Sequence, residues 1–154
     1  MSEMASTIEM EVELKSSANQ IWEALKNLTT LFPKAMPHIY KSIEVLEGDG
    51  QSVGSIRLVK IHSGIPEISS KKVKLEKVDE ANKSVEYTVI GGDLLHYFKI
   101  FKWKTMVSSK GDGSVVKWSC NYDKVNEDFP NSNIVKEFTI KKFKELDAYL
   151  LKAN

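Results

Sequence analysis

An α+β fold in two layers, an antiparallel sheet backed by one long terminal helix, is what the sequence predicts, and three observations predict it. Short runs of alternating apolar residues recur as far as residue 125, separated by Gly-, Pro- and Asp-rich breaks too short for parallel crossovers. After Pro130 the hydrophobic period changes from two to about 3.6 and holds to about residue 152. Finally, 154 residues of which 42% are hydrophobic suffice for one compact core, so residues 1–154 read as a single domain.

The first strand is predicted over 8–14, where Ile8, Met10, Val12 and Leu14 alternate with Glu9, Glu11 and Glu13. Ser16 or Ser17 then offers an N-cap for a helix whose apolar face is Ile21, Trp22 and Leu25. A second short helix is predicted over 28–32, and Pro33 and Pro37 are expected to interrupt it, since proline lacks a backbone donor and restricts the residue before it. Six further strands are predicted over 41–47, 55–62, 71–78, 84–90, 95–108 and 114–125, giving about seven in one curved sheet. The breaks fall at Glu47-Gly48-Asp49-Gly50, Ser63-Gly64-Ile65-Pro66, 79–83, Gly91-Gly92-Asp93 and Lys110-Gly111-Asp112-Gly113. The strand over 95–108 is ambiguous in register: Tyr97, Phe101 and Trp103 share one parity, Phe98, Ile100 and Met106 the other, and a bulge would reconcile them.

After Asn131-Ser132-Asn133, which can cap it, the terminal helix places Ile134, Val135, Phe138, Leu146, Tyr149 and Leu150 on one broad face, with Ile140 and Leu151 off it. Laid across the concave side of the sheet, it closes the core.

Charge and composition exclude several function classes. Lys and Arg total 22 against 21 Asp and Glu, a formal charge of +1, so no broad field recruits nucleic acid or an anionic membrane. The N-terminus has neither a basic start nor an apolar run, which leads us to expect no secretory signal and cytoplasmic residence. No membrane-spanning segment is expected, and the single Cys120 fits a reducing compartment.

Candidate motifs mostly resolve into packing. The stretch 48–54 is glycine-rich but precedes a strand rather than a helix and lacks Lys-Ser/Thr, so it reads as a mobile hairpin loop rather than a phosphate cradle. His38, His62 and His96 have no metal-ligand spacing, there is no GxSxG, and Cys120 alternates with Val116, Trp118 and Tyr122 as core. No metal or cofactor is therefore expected. Lys and aromatic residues interleave over 97–104 like a stacking platform, but the balanced charge argues against single-stranded nucleic acid.

What remains is a surplus of inward apolar positions: Phe32, Met36, Val59, Ile61, Val73, Leu75, Val85, Val89, Trp118, Cys120, Phe138 and Leu146. An ordinary close-packed core would use the same residues. Polar groups among them, namely Tyr87, Tyr122, His38 and Lys142, give the set the composition of a small-molecule cavity, although Lys142 at the margin of the helix stripe is also placed to snorkel to water. Tyr97 and Phe101 join the candidate ligand-binding residues.

Leu31-Phe32-Pro33-Lys34, Glu47-Gly48-Asp49-Gly50, Val53-Gly54-Ser55-Ile56, Val89-Ile90-Gly91-Gly92-Asp93-Leu94-Leu95 with Tyr97 and Lys99, Val116-Lys117-Trp118, and Tyr122-Asp123-Lys124-Val125-Asn126-Glu127-Asp128 resemble, in that order, the plant major latex proteins of the birch-pollen allergen (pathogenesis-related class ten) superfamily. The resemblance implies a helix-grip fold: a seven-stranded sheet around a long C-terminal helix with two short helices forming a V. It also implies an internal cavity for hydrophobic or amphipathic plant metabolites, such as sterols, flavonoids, phytohormones or alkaloid and iridoid intermediates, in defence or specialised metabolism. The partner expected is a small hydrophobic metabolite, bound by a monomer or weak homodimer. Gly91 stands where the family usually has an acidic residue, which is expected to loosen a turn at the cavity rim.

Some relatives are enzymes. The tyrosine, glutamate and lysine set of the norcoclaurine-forming branch aligns here with Lys71, Val73 and Val85, which argues against that reaction. A cofactor-independent isomerisation or cyclisation is the alternative to plain binding. His38 would be its first acid–base candidate, because an imidazole titrates near neutrality, and Tyr87 its hydrogen-bond donor.

Overall fold

The computed structural model describes residues 6–62, 68–125 and 132–153. The chain runs β1 (Ser6–Leu14), α1 (Ala18–Lys26), α2 (Leu28–Ala35), β2 (Tyr40–Glu47), β3 (Ile56–Ile61), β4 (Ser70–Asp79), β5 (Ser84–Gly91), a 3-10 turn (Asp93–His96), β6 (Phe98–Lys110), β7 (Gly113–Lys124) and α3 (Ser132–Ala153). All seven strands form one antiparallel sheet in the order β1-β7-β6-β5-β4-β3-β2. Thus β2 to β7 make a meander, and β1 pairs with the last strand, from Ser6 opposite Tyr122 to Leu14 opposite Ser114.

Alternation governs each strand. In β1, Ile8, Val12 and Leu14 are buried while the three glutamates face water. Ser17 caps α1 reciprocally: its hydroxyl accepts from the Gln20 amide at 3.2 Å, and the Gln20 side chain accepts from the Ser17 amide at 2.8 Å. Ile21, Trp22 and Leu25 are all buried on the face so defined.

Two boundaries and one helix face differ from expectation. Pro33 does not end α2, which continues to Ala35; only the one bond to the Thr29 carbonyl is lost, the Met36 amide still bonds the Phe32 carbonyl at 2.8 Å, and burial of Phe32 and Met36 offsets the loss. β6 begins at Phe98 rather than residue 95, because 93–96 form the 3-10 turn. The inner face of α3 centres on Phe143 and Leu146 with Thr139 and Asp147, while Val135, Phe138, Ile140 and Leu150 pack partly against the core and Leu151 is exposed. Ile140 therefore packs despite lying off the predicted face.

A register shift between Phe98 and Ile100 resolves the parity of β6: Phe98 and Phe101 both point inward, and Ile100 is exposed. The turn before it is not loose. The Asp93 carboxylate accepts from the Ser69 and Ser70 amides at 3.0 and 2.9 Å, and from the Ser69 hydroxyl at 2.9 Å. Gly92 adopts φ +90, where a Cβ would stand 2.5 Å from the Lys71 Cα, so only glycine fits this approach. The break at 63–66, Pro130, Asn131 and the 126–128 part of the motif lie outside the described residues.

Helix α3 is tied to the sheet by Asp147, a buried carboxylate that accepts from the Lys15 and Ser16 amides at 2.9 and 2.8 Å. These bonds hold the helix over the inner face at the β1–α1 junction.

Candidate functional site

The inner face of the sheet, α1–α2 and α3 enclose a chamber. Leu25, Leu28 and Phe32 come from the short helices, Tyr40 and Ile43 from β2, Arg57 and Val59 from β3, Lys71 and Val73 from β4, Tyr87 from β5, Trp103 and Thr105 from β6, and Lys142 and Phe143 from α3. Its free volume is ≈ 50 Å³, room for a few waters; a drug-sized ligand needs roughly 300 Å³ or more, so admitting one requires wall side chains to move. Larger hollows of ≈ 470 and ≈ 580 Å³ are open grooves on the outer face of β1, β6 and β7 and between α1–α2 and the end of α3. Their solvent-facing walls carry charges of both signs.

The chamber's polar groups have an unusual balance. Arg57, Lys71 and Lys142 line it, and among the described residues no carboxylate does. Arg57 is buried and committed: it donates to the Thr29 hydroxyl at 3.0 Å and to the Gly50 carbonyl. The two lysines are not. Neither ammonium has a hydrogen-bonding or ion-pairing partner among the described residues. The Lys71 Nζ lies 4.7 Å from the Trp103 ring centre and the Lys142 Nζ 5.0 Å from that of Phe143.

Each lysine retains partial exposure as a residue, but the surroundings of the ammonium govern its titration. Burial brings Lys71 down to about 8, and burial together with the Lys71 charge brings Lys142 down to about 7. Burial also raises the hydroxyl pKa of Tyr40 and of Tyr87, the latter partly offset by the Arg57 guanidinium beside it. The two phenols therefore remain neutral donors around neutrality.

Of the residues expected to bind a ligand, Phe32, Val59, Val73, Tyr87 and Lys142 line the chamber. Lys142 does not snorkel away from it. Met36, Ile61, Leu75, Val89, Phe101, Trp118 and Cys120 are buried in the surrounding core, and Phe138 and Tyr97 pack partly against it. The Cys120 thiol is pushed up to about 12 by burial. His38 lies outside the lining: it stands between α2 and β2, its side chain is 56% exposed, and it pairs with Glu145 on α3.

Sequence reasoning missed Leu25, Leu28, Tyr40, Ile43, Arg57, Lys71, Trp103, Thr105 and Phe143 as lining residues. Parity carried the signal for four of them: Arg57 is two residues from Val59, Lys71 two from Val73, and Trp103 and Thr105 continue from Phe101. Charge concealed two of them, since inward-facing cations are uncommon.

The loop over 48–54 is a hairpin connection, as read, but a knitted one rather than a mobile one. The Asp49 carboxylate accepts from the Gln51 and Ser52 amides at 2.8 and 2.7 Å and from the Ser52 hydroxyl at 2.8 Å, which holds its pKa at about 2. Gly50 then presents its carbonyl to Arg57, so the loop is joined to the chamber wall.

The family model for "Pathogenesis-related protein Bet v 1 family" matches residues 3–153. MLP-like protein 423 of Arabidopsis thaliana is 43% identical over 97% of this chain and 96% of its own length, and a root allergen protein of Taraxacum officinale is 34% identical over 93% and 94%. The crystal structure of ginseng major latex-like protein 151 from Panax ginseng superposes with a TM-score of 0.86 at 23% identity, covering 97% of this chain and 99% of that one. A point mutant of a Thalictrum norcoclaurine synthase gives 0.76 at 22% identity, covering 99% and 98%. These structural likenesses establish the same seven-stranded, helix-grip architecture.

Proposed function

The chain belongs to the pathogenesis-related protein Bet v 1 family, alongside the MLP-like proteins, and from that premise we propose that it binds small hydrophobic or amphipathic metabolites in the chamber between sheet and α3. It acts as a cytoplasmic carrier or sensor, a single ligand-binding domain working as a monomer or weak homodimer. No helix among the described residues is long and apolar enough to cross a membrane.

The observation that carries the proposal is the chamber's wall: apolar surface from both short helices, four strands and α3, with a few convergent polar groups, which is the make-up of a ligand site. Lys71 and Lys142 are the wall's long unbranched side chains without polar partners, so their movement is the cheapest way to enlarge ≈ 50 Å³. Uptake of N-phenyl-1-naphthylamine, a neutral apolar fluorophore, and its displacement by plant metabolites without turnover tests the reading. Absence of saturable uptake would overturn it.

A second reading is catalytic: the protein guides isomerisation or cyclisation of a reactive alkaloid or iridoid intermediate. It is favoured by Tyr87 and Lys142 facing one chamber, a donor and an amine whose lowered pKa suits proton transfer, and by the fold shared with norcoclaurine synthase. His38, away from the chamber, is not its acid–base group. Product ratios from such intermediates that are unchanged by the protein would dismiss this reading.

A further inference from the structure

We infer that the chamber is selective for organic acids: Lys71 and Lys142 together hold the carboxylate of an amphipathic ligand whose apolar body lies against Phe32, Val59, Val73 and Phe143. The inference deepens the proposed function and rests on the chamber being a ligand site.

Two ammonium groups from opposite walls, β4 and α3, face one cavity with a third cation, Arg57, beside them. Each ammonium carries three donors, and stacking over Trp103 or Phe143 satisfies none of them. Cations that face a largely apolar chamber are ordinarily paired, and here no carboxylate on the described wall supplies a partner. A carboxylate between Lys71 and Lys142 would accept from both and turn their mutual repulsion into two attractions, in a site where low dielectric strengthens both. Arg57, already bonded to Thr29 and the Gly50 carbonyl, contributes field rather than a contact. The alternative of a phenolate is disfavoured by geometry, because a single oxygen bridges two separate donors less readily than two oxygens do.

The same arrangement ties binding to protons. Facing the carboxylate are Tyr40 from β2, Arg57 from β3, Lys71 from β4, Tyr87 from β5 and Lys142 from α3, with Cys120 of β7 acting on Lys71. Both phenols and the thiol stay neutral at pH 7 to 8. Only the lysines titrate there, and an anion favours their charged forms. Binding takes up protons, and affinity falls as pH rises through 7 and 8.

Displacement of N-phenyl-1-naphthylamine by decanoate and by decanol, on the full chain at pH 7, tests the inference. Decanoate is expected to displace the fluorophore at a concentration at least tenfold below that of decanol. In the Lys71→Met, Lys142→Met double variant that preference disappears, the ratio of decanol to decanoate displacement concentrations falling to about one. In weakly buffered solution at pH 7.5, decanoate binding to the wild type takes up protons and binding to the double variant does not. Equal potency of acid and alcohol in the wild type, or a preference that survives the double substitution, overturns the inference and leaves the chamber intact as an apolar site. Failure of the fluorophore itself to bind overturns the proposed function as well.

Discussion

Replacing Lys142 by Met should stabilise the free protein, and the gain should depend on pH in a defined direction. The gap between the ordinary lysine value of 10.5 and about 7, at about 1.4 kcal/mol per pH unit, sets a ceiling near 5 kcal/mol for the cost of holding this ammonium inside. Partial exposure of the residue and stacking over Phe143 reduce that, so about 1–3 kcal/mol is the expected gain at pH 7. For a chain of this length that is roughly 3–10 °C in melting temperature. Because the folded pKa lies below the unfolded one, unfolding takes up a proton between about pH 7 and 10.5, and this lysine's contribution to stability improves with pH across that window. Methionine keeps most of the stem's packing and removes the charge. Melting of wild type and variant, followed by circular dichroism at pH 7, 8, 9 and 10, should therefore show a gap that is widest at pH 7 and shrinks steadily. A variant less stable than wild type at pH 7, or a gap indifferent to pH, would mean that the ammonium sits in water and would refute the reasoning.

Other consequences can be measured independently. Gly92→Ala forces a side chain against the Lys71 backbone at φ +90 and should cost about 2–4 kcal/mol, whereas Gly111→Ala, at φ +58 with nothing within 4 Å, should cost about 1 kcal/mol; denaturant midpoints distinguish them. Asp147→Ala strands the buried amide of Ser16 and the part-buried amide of Lys15 and should lower stability by about 1–3 kcal/mol, with accelerated amide exchange at the β1–α1 junction as the local signature. Cys120, fully buried with its thiol pushed up to about 12, should be inert to aromatic disulfide reagents at pH 8 until the protein unfolds.

The fold was largely legible because its elements obey simple periods. The acidic alternation of β1, the Ser17 cap and the change of period at the last helix each follow from residues within a few positions of one another. The misplacements have tertiary causes. Pro33 stays inside α2 because the burial of Phe32 and Met36 outweighs one lost bond, and residues 93–96 leave the strand because Asp93 is bonded to Ser69 and Ser70, more than twenty positions away. The site was half legible. Apolar lining residues such as Val59 and Val73 followed from parity, but Arg57 and Lys71 share that parity and carry charge, which a reading for apolar cores passes over. Their convergence with Lys142 depends on how α3 crosses the sheet, and that is set by the Asp147 anchor rather than by any local pattern. His38 shows the converse: an attractive titration range, placed by the backbone on the outside.

The central claim, that the interior chamber rather than an outer groove is the ligand site, is tested most directly by nuclear Overhauser contacts between decanoate and the methyl groups of the isotope-labelled protein. Contacts from the ligand chain to Val59 and Val73 are the expected result. Contacts confined to Met106, on the outer groove of β1, β6 and β7, would contradict the account.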